Sequence, residues 1–314
     1  MKKRGFILLI LVLMTRMACG QQDPVLSMYM FNNMAFNPGY CGTDGMINVT
    51  ATTRQQWVGF EGAPTTMVFN ANTPFSLFGI SSGAGLQFES DAYGFNKDFS
   101  VSLDYSYLMM VGNGILGIGL NGGIINKAIK PQWEIPSGSS HTSASGDPMI
   151  PDGDESAIIP DASLGLFYKT QNYYAGLSVT HITQPKIKYT ETNSFISREY
   201  YFTAGYTFQL NNPSLDITPS VFVVNDGAAT QYILNGIVRY NKKAWGGVSY
   251  REGDAITGIV GFELYNGLKV GYSYDFPLSE IRKGTNGSHE FFVSYSFDIG
   301  LGKSITKYKS IRFL

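Results

Sequence analysis

The segment Leu268-Lys-Val-Gly-Tyr-Ser-Tyr-Asp-Phe276 decides the fold, because its side chains alternate between two kinds. Apolar and aromatic side chains occupy the even positions, and Lys269, Gly271, Ser273 and Asp275 occupy the odd ones. Successive side chains of a β-strand point to opposite faces. One apolar face and one small or polar face predict a strand with lipid on one side and a wet lumen on the other.

The same alternation recurs along the chain, for example in 99–107 and 290–298. The expected lumen face again carries polar groups, among them Asp104, Arg239 and Asp298. We therefore predict an all-β fold, a transmembrane antiparallel β-barrel of about 14 strands. These strands are expected near 46–58, 65–73, 82–90, 97–110, 114–128, 161–169, 173–182, 198–209, 215–224, 230–240, 243–251, 255–264, 267–277 and 289–298.

The connections between these segments alternate in length, as they do in outer-membrane barrels. The tight ones, such as 112–114 and 241–242, contain the Gly or Asn that a positive φ requires. The longest ones, 129–160 and 183–197, fall on the opposite side. An exception is 74–81, which is long where a tight turn is expected. An even strand number places the N- and C-termini of the mature chain on one side, the periplasm. A soluble sandwich of 14 long strands would be unusual.

The N-terminus has the pattern of a secretory signal peptide over residues 1–20, with a basic start, an apolar run 6–14 and a small-residue end. Cleavage after Gly20 is the favoured interpretation; acylation of Cys19 is the alternative, against a poor lipobox. The remaining chain divides into a periplasmic N-terminal segment 21–45, the transmembrane barrel 46–298 and a basic periplasmic tail 299–314. After residue 20, no run of 18 apolar residues predicts a membrane helix.

Charge and cysteine content exclude several classes. Removal of residues 1–20 leaves 19 basic and 24 acidic side chains, a net charge of −5 with His neutral, so nucleic acid is not an expected partner. Cleavage at Gly20 also leaves Cys41 as the sole cysteine, and no intramolecular disulfide is then possible. The role of Cys41 stays open.

Motifs for catalysis, cofactors or metals are not persuasive. The glycines of 117–122 have dinucleotide-motif spacing but lack a following helical pattern, so we interpret them as thinning a strand. His141, His181 and His289 lie in or beside expected outer connections, without a paired motif, and are interpreted as solvated loop residues. We predict no enzyme, no cofactor and no metal site.

Two charged regions are candidate partner-binding surfaces. The long connection 129–160 is acidic and contains Trp133, Glu134, Asp152, Asp154 and Glu155. Its 147–155 stretch offers oxygen ligands that Ca²⁺ accepts, although a solvated acidic loop is the favoured interpretation. The tail carries basic residues, namely Lys307, Lys309 and Arg312. It could bind an acidic partner or anionic membrane lipid, or be a free end.

Several short elements of the chain resemble the PorP/SprF family. They are Gln21-Gln-Asp-Pro24, Asn37-Pro-Gly-Tyr-Cys-Gly42, Arg54-Gln-Gln-Trp-Val-Gly59 with Gly62-Ala-Pro64, and the ending 308–314. The matched positions of the two central elements are Asn37, Pro38, Tyr40, Gly42, Arg54, Trp57, Gly59, Gly62 and Pro64. The chain departs from the family pattern at Gly39 and Cys41, where alanine is usual, and at Ile311, where proline is common.

This resemblance implies a non-enzymatic outer-membrane component of the type IX secretion system of Bacteroidota, which supports secretion or surface anchoring of proteins such as gliding adhesins. It implies that the outer loops meet the C-terminal domain of a secreted surface protein. It also implies that the tail or the 21–45 segment meets periplasmic secretion components. The alternative is a diffusion or uptake channel, since a 14-strand barrel can leave an open lumen. A rim-active enzyme is a third, weaker hypothesis.

Overall fold

The computed structural model describes residues 23–130, 153–189, 193–264 and 267–298. Within them the chain forms a closed antiparallel β-barrel of fourteen strands, as predicted. Among these residues, no α-helix has the length and hydropathy needed to cross a membrane.

The strands follow the predicted order, with differences in their bounds. They are β1 (Ile47–Gln55), β2 (Thr65–Leu77), β3 (Ile80–Tyr93), β4 (Asn96–Val111), β5 (Gly114–Ile129), β6 (Glu155–Lys169), β7 (Tyr173–Thr180), β8 (Lys186–Lys188), β9 (Asn193–Phe195), β10 (Glu199–Tyr206), β11 (Phe208–Gln209), β12 (Leu215–Asn225), β13 (Thr230–Tyr240), β14 (Ala244–Arg251), β15 (Ala255–Glu263), β16 (Leu268–Pro277) and β17 (Ser288–Phe297).

The barrel has fourteen strands although seventeen strand segments are named, for two reasons. β10 and β11 pair with β12 in one continuous register, so they form one barrel strand interrupted at Thr207. β8 and β9 form a separate hairpin in the connection between β7 and β10, which the sequence did not predict. The barrel closes where β1 pairs with β17 over its whole length, from Ile47 opposite Phe297 to Gln55 opposite His289.

The two ends of the barrel differ in their connections. At one end, here the turn end, the barrel strands are joined by short connections, 78–79, 112–113, 170–172, 210–214, 241–243 and 264–267; residues 265–266 lie outside the described ranges. The connections 56–64, 130–154, 181–198 and 278–287 begin and end at the other end, here the loop end, as do three short ones. The expected exception at 74–81 disappears, because Phe78 and Gly79 both adopt positive φ and close a two-residue hairpin turn.

The long connection is shorter than expected. β6 begins at Glu155 rather than near residue 161 and pairs with β5 along its full length. Glu155 is therefore a strand residue and not part of an outer loop.

Alternating faces are confirmed in all three quoted segments. Side chains such as Phe276, Val293 and Leu103 are exposed on the outer surface, where a soluble protein would rarely leave so continuous an apolar band. Their strand neighbours Asp275, Ser294 and Asp104 are buried on the lumen side. Lipid contact explains the outer face, and the contents of the lumen explain the inner one.

The lumen is occupied by the chain itself. Residues 23–45, here the lumen segment, pack against inward side chains through three short 3-10 turns, Tyr29–Phe31, Asn33–Ala35 and Pro38–Tyr40. We expected 21–45 to form a separate periplasmic segment; its described part instead lies inside the barrel. Its aromatic and apolar side chains pack there against inward apolar side chains, and glycines of the wall allow a close approach of the backbone.

The direction of the lumen segment also differs from expectation. Asp23 contacts His181 and Glu199, which stand at the loop end of β7 and β10. The chain then crosses the lumen and enters β1 at the turn end, where β17 finishes at Phe297. Residues 23 and 298 thus lie at opposite ends of the barrel; the termini of the mature chain, which we predicted to be periplasmic, lie outside the described residues.

Candidate functional site

A buried ionic cluster fastens the lumen segment to the wall. Arg54 of β1 binds Asp275 of β16 at 2.7 Å and Glu290 of β17 at 3.3 Å, and at most 3% of any of the three side chains is exposed. Arg54 also donates to the hydroxyl of Ser27 at 2.6 Å, and that hydroxyl lies 2.9 Å from Asp275. A buried pair survives only when hydrogen bonds satisfy its remaining atoms, and here the lumen segment supplies them.

The backbone of the segment joins the same cluster. The amides of Ser27 and Met28 donate to the two carboxylate oxygens of Glu290, at 2.6 and 2.8 Å. Arg251 of β14 approaches from the other side and donates to the Ser27 hydroxyl at 3.2 Å. Four strands and the lumen segment therefore meet at one point, and removal of the segment would leave buried charges with unsatisfied hydrogen-bonding atoms.

Aromatic stacking holds the middle of the segment. Tyr29 stacks on Phe222 with ring centroids 4.6 Å apart, and its hydroxyl lies 2.9 Å from the Ser220 hydroxyl. Phe36 meets the same Phe222 edge-on at 4.6 Å. Offset and edge-on aromatic pairs each stabilise by about 0.5–1.5 kcal/mol beyond the burial of area. The barrel strand β12 thus supplies one side of a small core inside the lumen.

A second apolar cluster lies across the lumen. Phe31 stacks on Phe292 at 5.1 Å and lies 5.2 Å from Trp245. Met28 is buried beside both of these wall residues. Since large side chains of the segment interlock with inward side chains of β14 and β17, the segment is packed like a protein core rather than threaded loosely.

Glycines of the wall let the last part of the segment approach the strands. A Cβ atom on Gly39 would stand 2.9 Å from the carbonyl oxygens of Gly117 and Gly165. A Cβ on Gly119 would collide with the backbone at Pro38 and Gly39. The Gly117 and Gly119 positions, interpreted from sequence as thinning the strand, are required by close contact between two backbones.

Asn37 completes this contact. Its side-chain oxygen accepts from the Gly39 amide at 2.9 Å and caps the 3-10 turn Pro38–Tyr40. Its amide nitrogen donates to the carbonyl oxygens of Leu166 and Leu177 in β6 and β7, at 3.0 and 3.3 Å. These bonds join the segment to the wall, which gives a physical reason for asparagine at this position.

An ionic clip holds the start of the segment at the loop end. His181 lies between two carboxylates, 2.8 Å from Asp23 and 3.0 Å from Asp161. Burial alone would lower the pKa of His181, but the charge of Asp23 and the hydrogen bonds to both carboxylates raise it to about 11. The expectation of a solvated loop histidine is therefore wrong for His181, which is buried and charged. His289 lies in β17 and bonds the Tyr272 hydroxyl at 2.8 Å, so it is not a loop residue either.

The loop end retains a cavity of about 830 Å³ above the lumen segment. Residues Asp23, Val25, Phe36 and Pro38 form its floor, and strands β3 to β7 line its wall with polar side chains. The β8–β9 hairpin and Trp57 border it. Its size falls in the range of roughly 300–1,000 Å³ that ligand sites occupy.

The two ends of the lumen differ in the charged residues that line them. Eight carboxyl-bearing residues and three cationic ones line the loop-end cavity. At the turn end, Lys169, Lys269 and Arg239 lie close enough to repel one another, and Lys169 pairs with Asp44 of the lumen segment.

The family-motif residues are brought together around the lumen segment. Asn37, Pro38, Tyr40 and Gly42 belong to it, and Arg54 binds it from β1. The remaining motif residues shape the loop-end connection after β1, where Trp57, Gly59 and Gly62 adopt positive φ and Trp57 and Pro64 border the cavity.

The predicted partner-binding residues are placed only in part. Trp133, Glu134, Asp152, Lys307, Lys309 and Arg312 lie outside the described residues, as does most of the hypothetical Ca²⁺ stretch. Asp154 pairs with Lys130 at 3.1 Å at the loop end, and both side chains are largely exposed. The two described members thus stand at the rim of the barrel, on the same end as the cavity.

Sequence reasoning missed the contacts of the segment, above all those that Ser27 makes with Glu290 and that Asp23 makes with His181. A signal was present, because the twenty residues from Pro24 to Thr43 contain no charged side chain and several aromatic ones. Such a composition is unusual for a segment lying in water and typical of one that packs in a core.

Residues 18–295 match the family described as type IX secretion system membrane protein PorP/SprF. The chain belongs to this family. The PorP/SprF assignment and the closed barrel with its apolar outer band make this chain an outer-membrane protein of the type IX secretion system.

Solved structures resemble the barrel at low identity. The toluene transporter TbuX of Ralstonia pickettii is 12% identical, with 84% of this chain and 92% of that chain covered at a TM-score of 0.49. Omp33 of Acinetobacter baumannii is 10% identical, with 80% and 98% covered at a TM-score of 0.45. No curated protein matched the chain.

Proposed function

We propose that this PorP/SprF protein is a non-enzymatic docking barrel, which holds a secreted surface protein at the outer membrane during or after its export. The observation that carries the proposal is the filled lumen. A barrel whose interior is packed with residues 23–45 of its own chain offers no obvious route for solutes. What it offers a partner are the loop-end connections and the cavity between them.

The channel alternative requires the lumen segment to leave. Its release would break the Arg54 cluster, two aromatic clusters and the Asn37 contacts, and it would expose buried charges. Each of these contributions is on the order of one to a few kcal/mol. Docking to a filled barrel needs no such cost.

The proposal assigns different partners to the loop end of the barrel and to the C-terminal tail. We propose that the loop end, with the acidic residues Glu134, Asp152 and Asp154, faces outward and meets the C-terminal domain of the secreted protein. We further propose that the tail, with Lys307 and Lys309, meets periplasmic secretion components or anionic lipid. Signal-peptide cleavage after Gly20 is part of this proposal, and mass spectrometry of the purified chain would test it.

Affinity purification tests the docking proposal. The chain would be tagged in a loop-end connection, at Ala228, extracted from outer membranes in mild detergent, and its companions identified by mass spectrometry. We expect a secreted surface protein and components of the secretion machinery. Recovery of the intact barrel without either class, under conditions that retain other outer-membrane complexes, would contradict the proposal.

Orientation has its own test. A cysteine at exposed Ala228 of the loop end should react with a membrane-impermeant maleimide in intact cells, whereas one at exposed Asn113 of the turn end should react only after lysis. Cys41 gives little background because it is buried. Labelling of Asn113→Cys and protection of Ala228→Cys in intact cells would reverse the proposed orientation.

A further inference from the structure

The loop-end cavity is lined by more acidic than basic side chains. Eight residues with carboxyl groups line it against Lys127, Arg251 and His181. Carboxyl groups thus exceed cationic groups by five in a concave site bounded by the barrel wall. A concave site with low-dielectric walls focuses the field of such groups and attracts cations.

Each cationic side chain that lines the cavity already pairs with a carboxylate. Lys127 pairs with Asp98 at 2.5 Å, Arg251 with Asp254 at 3.0 Å, and His181 with its two carboxylates. Glu89 and Asp91, neighbours on the inner face of β3, are left without an ion pair among the described residues. Asp91 has a hydrogen bond from the Thr66 hydroxyl at 2.6 Å, which is a neutral donor.

A buried carboxylate oxygen without a partner also belongs to this cavity. Asp104 of β4 lines it and is only 5% exposed. Its Oδ1 accepts from Asn121 at 3.0 Å, whereas its Oδ2 has no hydrogen-bond partner in the described part of the protein. One oxygen of Asp161, on the same wall, is likewise buried and unpaired there. A buried acceptor without a donor costs about 1–3 kcal/mol, which an incoming donor can recover.

A divalent metal is a poor fit to this set. Within the described ranges, no three His, Cys, Asp or Glu side chains approach closely enough to hold a metal ion. The carboxyl groups are instead spread along the wall, between apolar side chains such as Val25, Ile125 and Ile187. Spaced carboxyl groups with apolar surface between them suit a long cation with an aliphatic stem, and Lys and Arg side chains have this shape.

We propose that the loop-end cavity is a binding site for a basic polypeptide segment, which inserts a Lys or Arg side chain toward Glu89 and Asp91. The inference rests on the docking function, since such a segment would belong to the partner that the barrel holds. The inserted cation supplies the charge that the cavity lacks. Specificity comes from the cavity's fixed charges, while the exposed Phe195 of the β8–β9 hairpin offers apolar contact at the mouth.

The test measures binding of fluorescein-labelled peptides to the full-length barrel in detergent micelles by fluorescence anisotropy. A trilysine peptide should bind and a triglutamate peptide of the same length should not. Binding of trilysine should weaken at least tenfold between 50 and 500 mM salt, because the attraction is electrostatic. Equal binding of both peptides would overturn the proposal.

Matched variants locate the site. The double variant Glu89→Gln/Asp91→Asn should weaken trilysine binding at least tenfold. Glu280→Gln, which removes a carboxylate that is also at the loop end but outside the cavity, should leave it within twofold. Equal effects of the two variants would assign binding to the general charge of the rim and overturn the proposal. The heat-dependent gel shift of folded barrels verifies that each variant is folded.

A free polyamine has the same cationic chemistry, and a competition arm separates it from a peptide. Spermidine should displace trilysine at least tenfold less effectively than unlabelled trilysine does. Equal displacement would assign the cavity to small amines and contradict a polypeptide ligand. If the barrel still binds trilysine but captures no partner in the affinity purification, the docking function is refuted and the assignment of the cavity is not. Retained capture by a barrel that binds no basic peptide would refute only the cavity's assignment.

Discussion

Replacement of Arg54 by methionine should loosen the lumen segment without opening the barrel wall. The side chain is 2% exposed and is bonded to Asp275, Glu290 and the Ser27 hydroxyl. Removing one partner of a buried ion pair costs about 3–5 kcal/mol, because the remaining charges stay buried without compensation. Arg251 still donates to Ser27 at 3.2 Å, so we expect a loss near the lower limit, about 3 kcal/mol.

Hydrogen exchange measured by mass spectrometry resolves this loss along the chain. A factor of ten in an equilibrium corresponds to about 1.4 kcal/mol, so peptides from 24–40 should exchange roughly 100-fold faster in Arg54→Met. Peptides from distant strands such as β5 should be unchanged. Arg282→Met, at an exposed position of the loop end, is the matched control and should change exchange little. Unaltered exchange of 24–40 in folded Arg54→Met would refute the role assigned to the cluster.

Two further predictions concern other contacts of the segment. Gly119→Val places a side chain against Gly39 and should destabilise the segment by a few kcal/mol, whereas Gly122→Val on the outer face of the same strand meets open space and should be tolerated in thermal unfolding. Equal losses would contradict the close backbone contact. The His181 contribution, with its pKa raised to about 11, is fully present below the usual value near 6.5 and is lost as pH rises through 11. That of Asp23, whose pKa is lowered mainly by His181 against the opposing effect of burial, is lost only as pH falls below about 4. NMR of the His181 imidazole should therefore show no titration between pH 6 and 9. The Asp23→Asn variant should lower the titration midpoint of His181. A midpoint near 6.5 in the wild-type protein would refute the ionic contact between His181 and its two carboxylates.

The wall of the barrel could be predicted from sequence because the side chains of each strand alternate between an apolar face toward lipid and a polar face toward the lumen. The segment around Leu268–Phe276 did so most clearly, and its inward Asp275 and outward Phe276 are confirmed. Strand ends were harder to predict. Pro160 lies within β6 on the outward face. Because proline lacks an N–H and has a fixed φ, it is rare inside strands, and the sequence therefore did not predict that β6 extends to Glu155.

The content of the lumen could not be predicted in the same way. Residues 23–45 have no strand or helix period, and their structure depends on side chains that lie 20 to more than 260 positions away, such as Thr52 and Glu290. The family motif pointed to Asn37 and Arg54 as important, but motif matching gives no contacts. Those contacts become visible only when distant strands close around the segment.

Planar-bilayer conductance of the purified wild-type barrel tests the central claim most directly. With residues 23–45 packed in the lumen, insertion should produce no steady open channel, while a variant lacking 24–44 should show that an emptied barrel of this size conducts. A steady, voltage-independent open conductance of the wild-type protein would contradict the filled lumen and favour solute transport over docking.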